Sequence, residues 1–131
     1  MTVLLLDTHI ALWWLADDER LTADMRQAVE RADAVHVSAA STWEVATKMA
    51  NGKLDVRFAD GESFAQVCVD QGFALVAVTH EDAWSIGELP TSSGDPFDRL
   101  IAATARRRGW TVVTADPAFQ TLGVRLLASP A

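Results

Sequence analysis

The sequence predicts an α/β fold: a three-layer α/β/α domain built on a central parallel β-sheet. The main observation is alternation, in which short apolar runs of strand length take turns with stretches whose apolar residues recur at helical spacing. The second is that Thr2 to Leu6 is apolar without a polar face, as a strand covered on both sides is. Extent is the third. A chain of 131 residues, 50% apolar, has the length and core material of one domain, and no repeat, low-complexity segment or linker divides it. A single domain over 1–131 is therefore expected.

In chain order, the strand Thr2 to Leu6 is closed by Asp7-Thr8, which can cap a short apolar helix from Ile10 to Leu15. After the polar loop Asp17 to Arg20, Thr22 caps a second helix through about Ala32, completing a helical hairpin. Ala34 to Val37 reads as the second strand, and Ser38 to Ala50 as a helix stopped by Asn51-Gly52. Lys53 to Asp60 reads as loop with a short extended piece at Leu54 to Phe58. Glu62 to Gln71 is expected to be helical, Leu75 to Val78 a third strand, and Glu81 to Glu88 a short helix. The loop Pro90 to Gly94 delivers the chain to a helix over Pro96 to Arg108, with apolar Phe97, Leu100, Ile101 and Ala105 on one face and Gly109 as its stop. A fourth strand, Thr111 to Val113, a single turn at Asp116 to Phe119 and a last strand, Val124 to Leu127, complete the chain.

Composition bounds the function. No apolar run approaches the ~20 residues of a membrane span, and the start lacks the basic and long apolar regions of a signal peptide, so a cytoplasmic protein is expected. The single cysteine, Cys68, excludes an internal disulfide and a cysteine-based metal site. The net charge of −7 runs against simple polyanion binding, which depends on Lys and Arg neutralising phosphates. Acids gathered around a cation would reverse the local field; an acidic solubilising surface is the plainer alternative.

Acids occur where the predicted strands run out, at Asp7 and Asp116, and at the entrance of the Pro96–Arg108 helix, at Asp95 and Asp98. In a parallel sheet these ends share one edge. Taken singly, each has a structural reading. Asp7 can be a helix cap; Asp95-Pro96 and Asp116-Pro117 share a cap-then-proline pattern; Asp98 stands where a capping box places its acid. Glu44, three residues after Ser41 and four before Lys48, suits a capping box or a helical ion pair. Convergence changes the weighting, because carboxylates clustered without partners are costly and normally indicate a bound cation or raised pKa values. Oxygen ligands without cysteine select Mg²⁺ or Mn²⁺. Arg99 is a candidate for phosphate contact or for pairing with Asp95. The run Arg106 to Arg108 reads as a solvated helix end that complements the helix dipole.

Five segments together resemble a known family. Leu4 to His9, Val37 to Ala46, Gly52-Lys53-Leu54, Asp95 to Ala102 and Val112 to Asp116 stand in the order found in PIN domains, in particular the VapC-type ribonuclease toxins of bacterial toxin–antitoxin pairs. The resemblance implies a metal-dependent endoribonuclease that hydrolyses RNA, tRNA or rRNA, leaving a 5′-phosphate and a 3′-hydroxyl. By position it assigns Asp7, Glu44, Asp98 and Asp116 as catalytic metal ligands for Mg²⁺ or Mn²⁺, with Asp95 as an additional acid of the subgroup. It places Thr114 as a hydroxyl beside the site, with Thr8 and Ser38 orienting ligands from behind. It also implies a homodimer and a cognate VapB-type antitoxin, contacting the apolar hairpin after Asp7 and covering the site with an arginine. Where the subgroup often carries a histidine before Asp95, this chain has Ser92-Ser93-Gly94, which removes any histidine-dependent substrate contact from the expectation.

Two rivals remain at this level. A phosphorylation-controlled receiver-like module would need an aspartate ending a middle strand and a lysine after a late one; Thr79-His80 and Thr111 to Asp116 provide neither. A catalytically silent scaffold that binds RNA or an antitoxin would carry the same fold.

Overall fold

The structure is a computed structural model that describes residues 1–128; residues 129–131, the end of the expected domain, lie outside the described residues. Its strands are β1 (Val3–Leu6), β2 (Ala34–Ser38), β3 (Ala74–Val76), β4 (Thr111–Thr114) and β5 (Leu126–Ala128). Its helices are α1 (Thr8–Ala16), α2 (Ala23–Arg31), α3 (Ala39–Ala50), α4 (Phe64–Asp70), α5 (His80–Trp84) and α6 (Pro96–Arg108). All neighbouring strands pair in parallel in the order β3-β2-β1-β4-β5, with Leu5 opposite both His36 and Val112. The fold is the α/β/α arrangement that the alternation predicts.

Period-2 geometry divides β1 between two cores. Leu4 and Leu6 pack with Val35, Val37, Ile10, Met25, Val45 and Cys68 on the face covered by α1, α2 and α4. Leu5 packs with Val112, Ile101, Ala102, Ala105 and Phe119 on the α6 face. Cys68 is a free, buried thiol, and burial pushes it up to about 11, so it stays protonated and inert.

The sheet order reverses direction at β1: the chain proceeds to β2 on one side and returns to β4 on the other. In open parallel sheets the crevice beyond the carboxyl ends at such a point is where ligands bind. Asp7 follows β1 directly, and Asp116 lies two residues beyond β4.

Several boundaries differ from the sequence expectation for identifiable reasons. The Glu62–Gln71 helix begins only at Phe64, because Ser63 caps it by accepting from the Gln66 N–H, while Glu62 turns back to the Ala59 N–H. The expected Glu81–Glu88 helix starts earlier, at a Thr79–Asp82 capping box, and tightens into a 3₁₀ turn over Ser85–Glu88. Leu54 to Phe58 forms no strand, yet Leu54, Val56 and Phe58 pack against the core at alternate positions. No helix among the described residues is long and apolar enough to cross a membrane.

Candidate metal centre at the carboxyl edge of the sheet

The centre is built outward from Asp7. Its backbone occupies the cap position of α1, but its side chain makes no capping hydrogen bond. Instead the carboxylate is 3% exposed and accepts a hydrogen bond of 2.9 Å from Thr114 Oγ1. The plain cap reading therefore fails for this side chain. Burial pushes the Asp7 carboxyl up to about 6, against the Thr114 hydrogen bond and the charge of His9, with the Glu44 charge adding to the rise. Thr114 serves two strand ends, since its hydroxyl also accepts the Asp116 N–H at 3.0 Å.

Asp95 and Asp116 do cap. Asp95 Oδ1 accepts the N–H groups of Phe97 and Asp98 at 2.8 and 3.1 Å, with Pro96 opening α6. Asp116 Oδ1 accepts the Ala118 N–H at 2.9 Å above a 3₁₀ turn that Pro117 opens. With capping done by Asp95, the Asp98 carboxylate is left without a hydrogen bond among the described residues. Burial, then the charges of Asp7, Asp95, Glu44 and Asp116, push it up to about 7. Asp98 thus feels acids from four other positions of the chain.

Glu44 is buried on α3, and its Oε2 takes an ion pair of 2.5 Å from Lys48 Nζ, one helical turn later. Its other oxygen, Oε1, is buried with no partner. The capping-box reading with Ser41 does not hold, because Ser38 is the cap of α3, accepting from the Ala40 N–H at 3.0 Å. Ser41 lies inside the helix and accepts the Thr8 hydroxyl at 2.8 Å. Ser38 thus fixes where α3 starts and the Thr8–Ser41 bond ties α1 to α3, which sets the positions from which Asp7 and Glu44 project.

The arginines around α6 are employed elsewhere. Arg99 donates to the carbonyls of Thr91, Ser93 and Ile86, bracing the loop before α6 rather than pairing with Asp95. Arg106 and Arg107 are exposed at the helix end as expected, but Arg107 and Arg108 also pair with the fully buried Asp82, at 2.8 and 2.7 Å, and Arg106 donates to the Glu88 carbonyl. Burial would raise the Asp82 carboxyl, but hydrogen bonds from Arg108, the Thr79 backbone and Arg107 hold it well below the usual range. The sequence reading missed Asp82, although Thr79-His80-Glu81-Asp82 has the spacing of a capping box. The rim carries an aromatic pair in addition: Trp43, 55% exposed beside Glu44, meets Phe97, beside Asp98, edge to face at 4.7 Å.

In the side-chain positions seen, no three His, Cys, Asp or Glu among the described residues form a ready metal-holding set. Glu44 faces Lys48, while Asp95 and Asp116 each commit an oxygen to backbone. The donor chemistry nonetheless fits a hard divalent cation, because the ligands are all oxygens, two are held near neutrality by burial and repulsion, and Glu44 Oε1 lacks a partner.

The family model described as "PIN domain" matches residues 4–124. Ribonuclease VapC22 of Mycobacterium tuberculosis is 38% identical over 117 residues, which is 88% of this chain and 88% of that protein. The chain is a VapC-type PIN domain. Among solved structures, VapBC2 from Rickettsia felis, crystallised with a promoter DNA fragment, superposes with a TM-score of 0.70 at 15% identity, covering 97% of this chain and 98% of that one. VapBC-5 from Mycobacterium tuberculosis, described as a member of the VapBC toxin–antitoxin family, gives 0.61 at 17% identity over the whole of both chains. At these identities the two structures share the fold of this PIN domain. Its acids stand just beyond β1 and β4, on α3 and at the start of α6, around the switch point of the sheet.

Proposed function

We propose that this PIN domain is the toxin of a toxin–antitoxin pair and acts as a Mg²⁺- or Mn²⁺-dependent endoribonuclease on tRNA or rRNA, arresting translation. The observation that supports this reading is the electrostatic convergence on Asp98 of Asp7, Asp95, Glu44 and Asp116, within a family whose relative is named a ribonuclease.

Asp7, Glu44, Asp98 and Asp116 would hold the ion, with the free oxygen of Asp95 supporting. When bound, a divalent ion supplies a Lewis acid for the scissile phosphate and a water that ionises near neutral pH. The protein's own contribution is placement. Thr114 aims Asp7 and fixes the Asp116 backbone; Asp95 pins the first turn of α6 so that Asp98 faces the crevice uncommitted; the Thr8–Ser41 bond locks α1 to α3. Among the described residues no histidine hydrogen-bonds to these acids as a general base, and a bound ion would supply the ionised water in its place.

Partners follow in the same proposal: a VapB-type antitoxin, RNA as substrate and a second copy of the chain. An apolar groove of about 220 Å³ lined by Leu12, Leu15, Ala16, Val56, Phe58 and Val67 is where the antitoxin would lie. An antitoxin arginine reaching the acids would neutralise the same charge that a cation does.

Induced expression in a bacterium, with growth followed alongside mapping of new 5′-phosphate ends, tests the reading. Growth arrest with discrete cleavage sites in tRNA or rRNA is expected for the wild type and neither for Asp98→Asn. Arrest by Asp98→Asn equal to wild type, without cleavage, would instead favour the silent scaffold.

A further inference from the structure

Among the described residues Lys48 ion-pairs with an acid of the centre, and its surroundings are unlike those of an ordinary helical ion pair. An exposed i,i+4 pair on a helix contributes little and leaves both partners hydrated. Here the Glu44 side chain is 4% exposed, whereas that of Lys48 is 32% exposed, so one partner is committed to the interior and the other retains a route to water. The ammonium reaches only Oε2; Oε1 stays buried and unpaired. A point charge on a flexible stem satisfies one oxygen of the carboxylate, while a divalent ion can engage both.

We propose that Lys48 is a tethered competitor for the divalent cation at Glu44: the ammonium and the metal ion exchange for one another on this carboxylate. This inference rests on the metal-centre reading and extends it to a residue outside the ligand set. Exchange keeps Glu44 paired at every stage, so its burial never leaves an uncompensated charge. The cost is affinity, because metal binding must first break a charge-assisted hydrogen bond. Only side-chain torsions of Lys48 need change, since the residue is already part-exposed at the end of its stem.

The test is calorimetric titration of Mn²⁺ into EDTA-treated, dialysed protein, comparing wild type with Lys48→Met and Lys48→Arg. Without the competitor, Lys48→Met is expected to bind Mn²⁺ about 10- to 100-fold more tightly, the range that one charge-assisted hydrogen bond represents. Its melting temperature in EDTA should fall and its Mn²⁺-induced rise should exceed that of wild type. Lys48→Arg keeps the charge and can fork onto both Glu44 oxygens, so it should bind Mn²⁺ no more tightly than wild type. If wild type binds Mn²⁺ and Lys48→Met binds no more tightly, competition is overturned and the metal centre stands. If wild type binds none, both fail. Should Lys48→Met not fold, ¹⁵N NMR of the wild-type Lys48 ammonium decides: added Mg²⁺ should move its signal and speed its proton exchange, and an unmoved signal at saturating Mg²⁺ overturns the proposal.

Discussion

Replacing Asp7 by Asn should make the protein more stable in the absence of metal, and only above a defined pH. The Asp7 carboxyl is raised from 3.8 to about 6 in the folded chain, chiefly by burial. A folded pKa above the unfolded one means that the native state binds the proton more tightly. Asp7's contribution to stability is therefore greatest below about pH 4, falls as pH rises from about 4 to 6, and levels off beyond. Two units correspond to about 3 kcal/mol, an upper limit because the amide's own N–H groups also need partners. Asn keeps an oxygen to accept the Thr114 hydroxyl and carries no charge at any pH. Thermal unfolding followed by circular dichroism in EDTA should show equal melting temperatures for the two proteins near pH 3.5. At pH 8 Asp7→Asn should melt up to about 10 °C higher, from about 3 °C per kcal/mol at this size. Saturating Mg²⁺ should raise the wild type and leave the variant unmoved. An Asp7→Asn variant that melts at or below wild type at pH 8 in EDTA would refute the strained-carboxylate reasoning.

Asp98→Asn should likewise be no less stable than wild type at pH 8 in EDTA, by a smaller margin because Asp98 is half-exposed; circular dichroism checks it. Thr114→Val removes the hydroxyl that aims Asp7 while preserving volume, and should weaken Mn²⁺ binding by about 10- to 100-fold in calorimetry. Asp82→Asn removes the charge that pairs with Arg107 and Arg108, whose guanidinium groups can still reach water, and should cost about 1–3 kcal/mol in urea unfolding at pH 7. Because the folded Asp82 pKa is depressed, that contribution is present above the unfolded value near 4 and is lost as pH falls through the folded one, so the penalty should shrink in acid.

The fold was readable in the sequence because its two periods are strongly written. Val3–Leu6 has strand length and no polar face, and α6 carries a cap, a proline at its first position and a glycine stop. Details that depend on which hydroxyl or acid wins a backbone amide were less legible: Ser63 rather than Glu62 opens α4, and α3 starts where expected but is capped by Ser38 with no capping box at Ser41. The acids themselves could be named from strand ends and helix entrances, yet their division of labour could not. Asp95 and Asp98 lie three residues apart in one turn, and only the hydrogen bonds from Phe97 and Asp98 N–H assign capping to the first and leave the second free. The arginines show the opposite limit. Arg107 and Arg108 read as solvated because their partner, Asp82, is 25 and 26 residues away, beyond any local pattern.

Most direct of all is the rate at which purified, antitoxin-free protein cleaves end-labelled tRNA and rRNA as Mg²⁺ is titrated from EDTA-treated protein, with Asp98→Asn alongside. A saturable Mg²⁺ dependence, with discrete products bearing 5′-phosphates and none from the variant, is the predicted result. Cleavage that persists in EDTA, or that Asp98→Asn performs at the wild-type rate, would contradict an acid-held metal ion as the centre that cuts RNA.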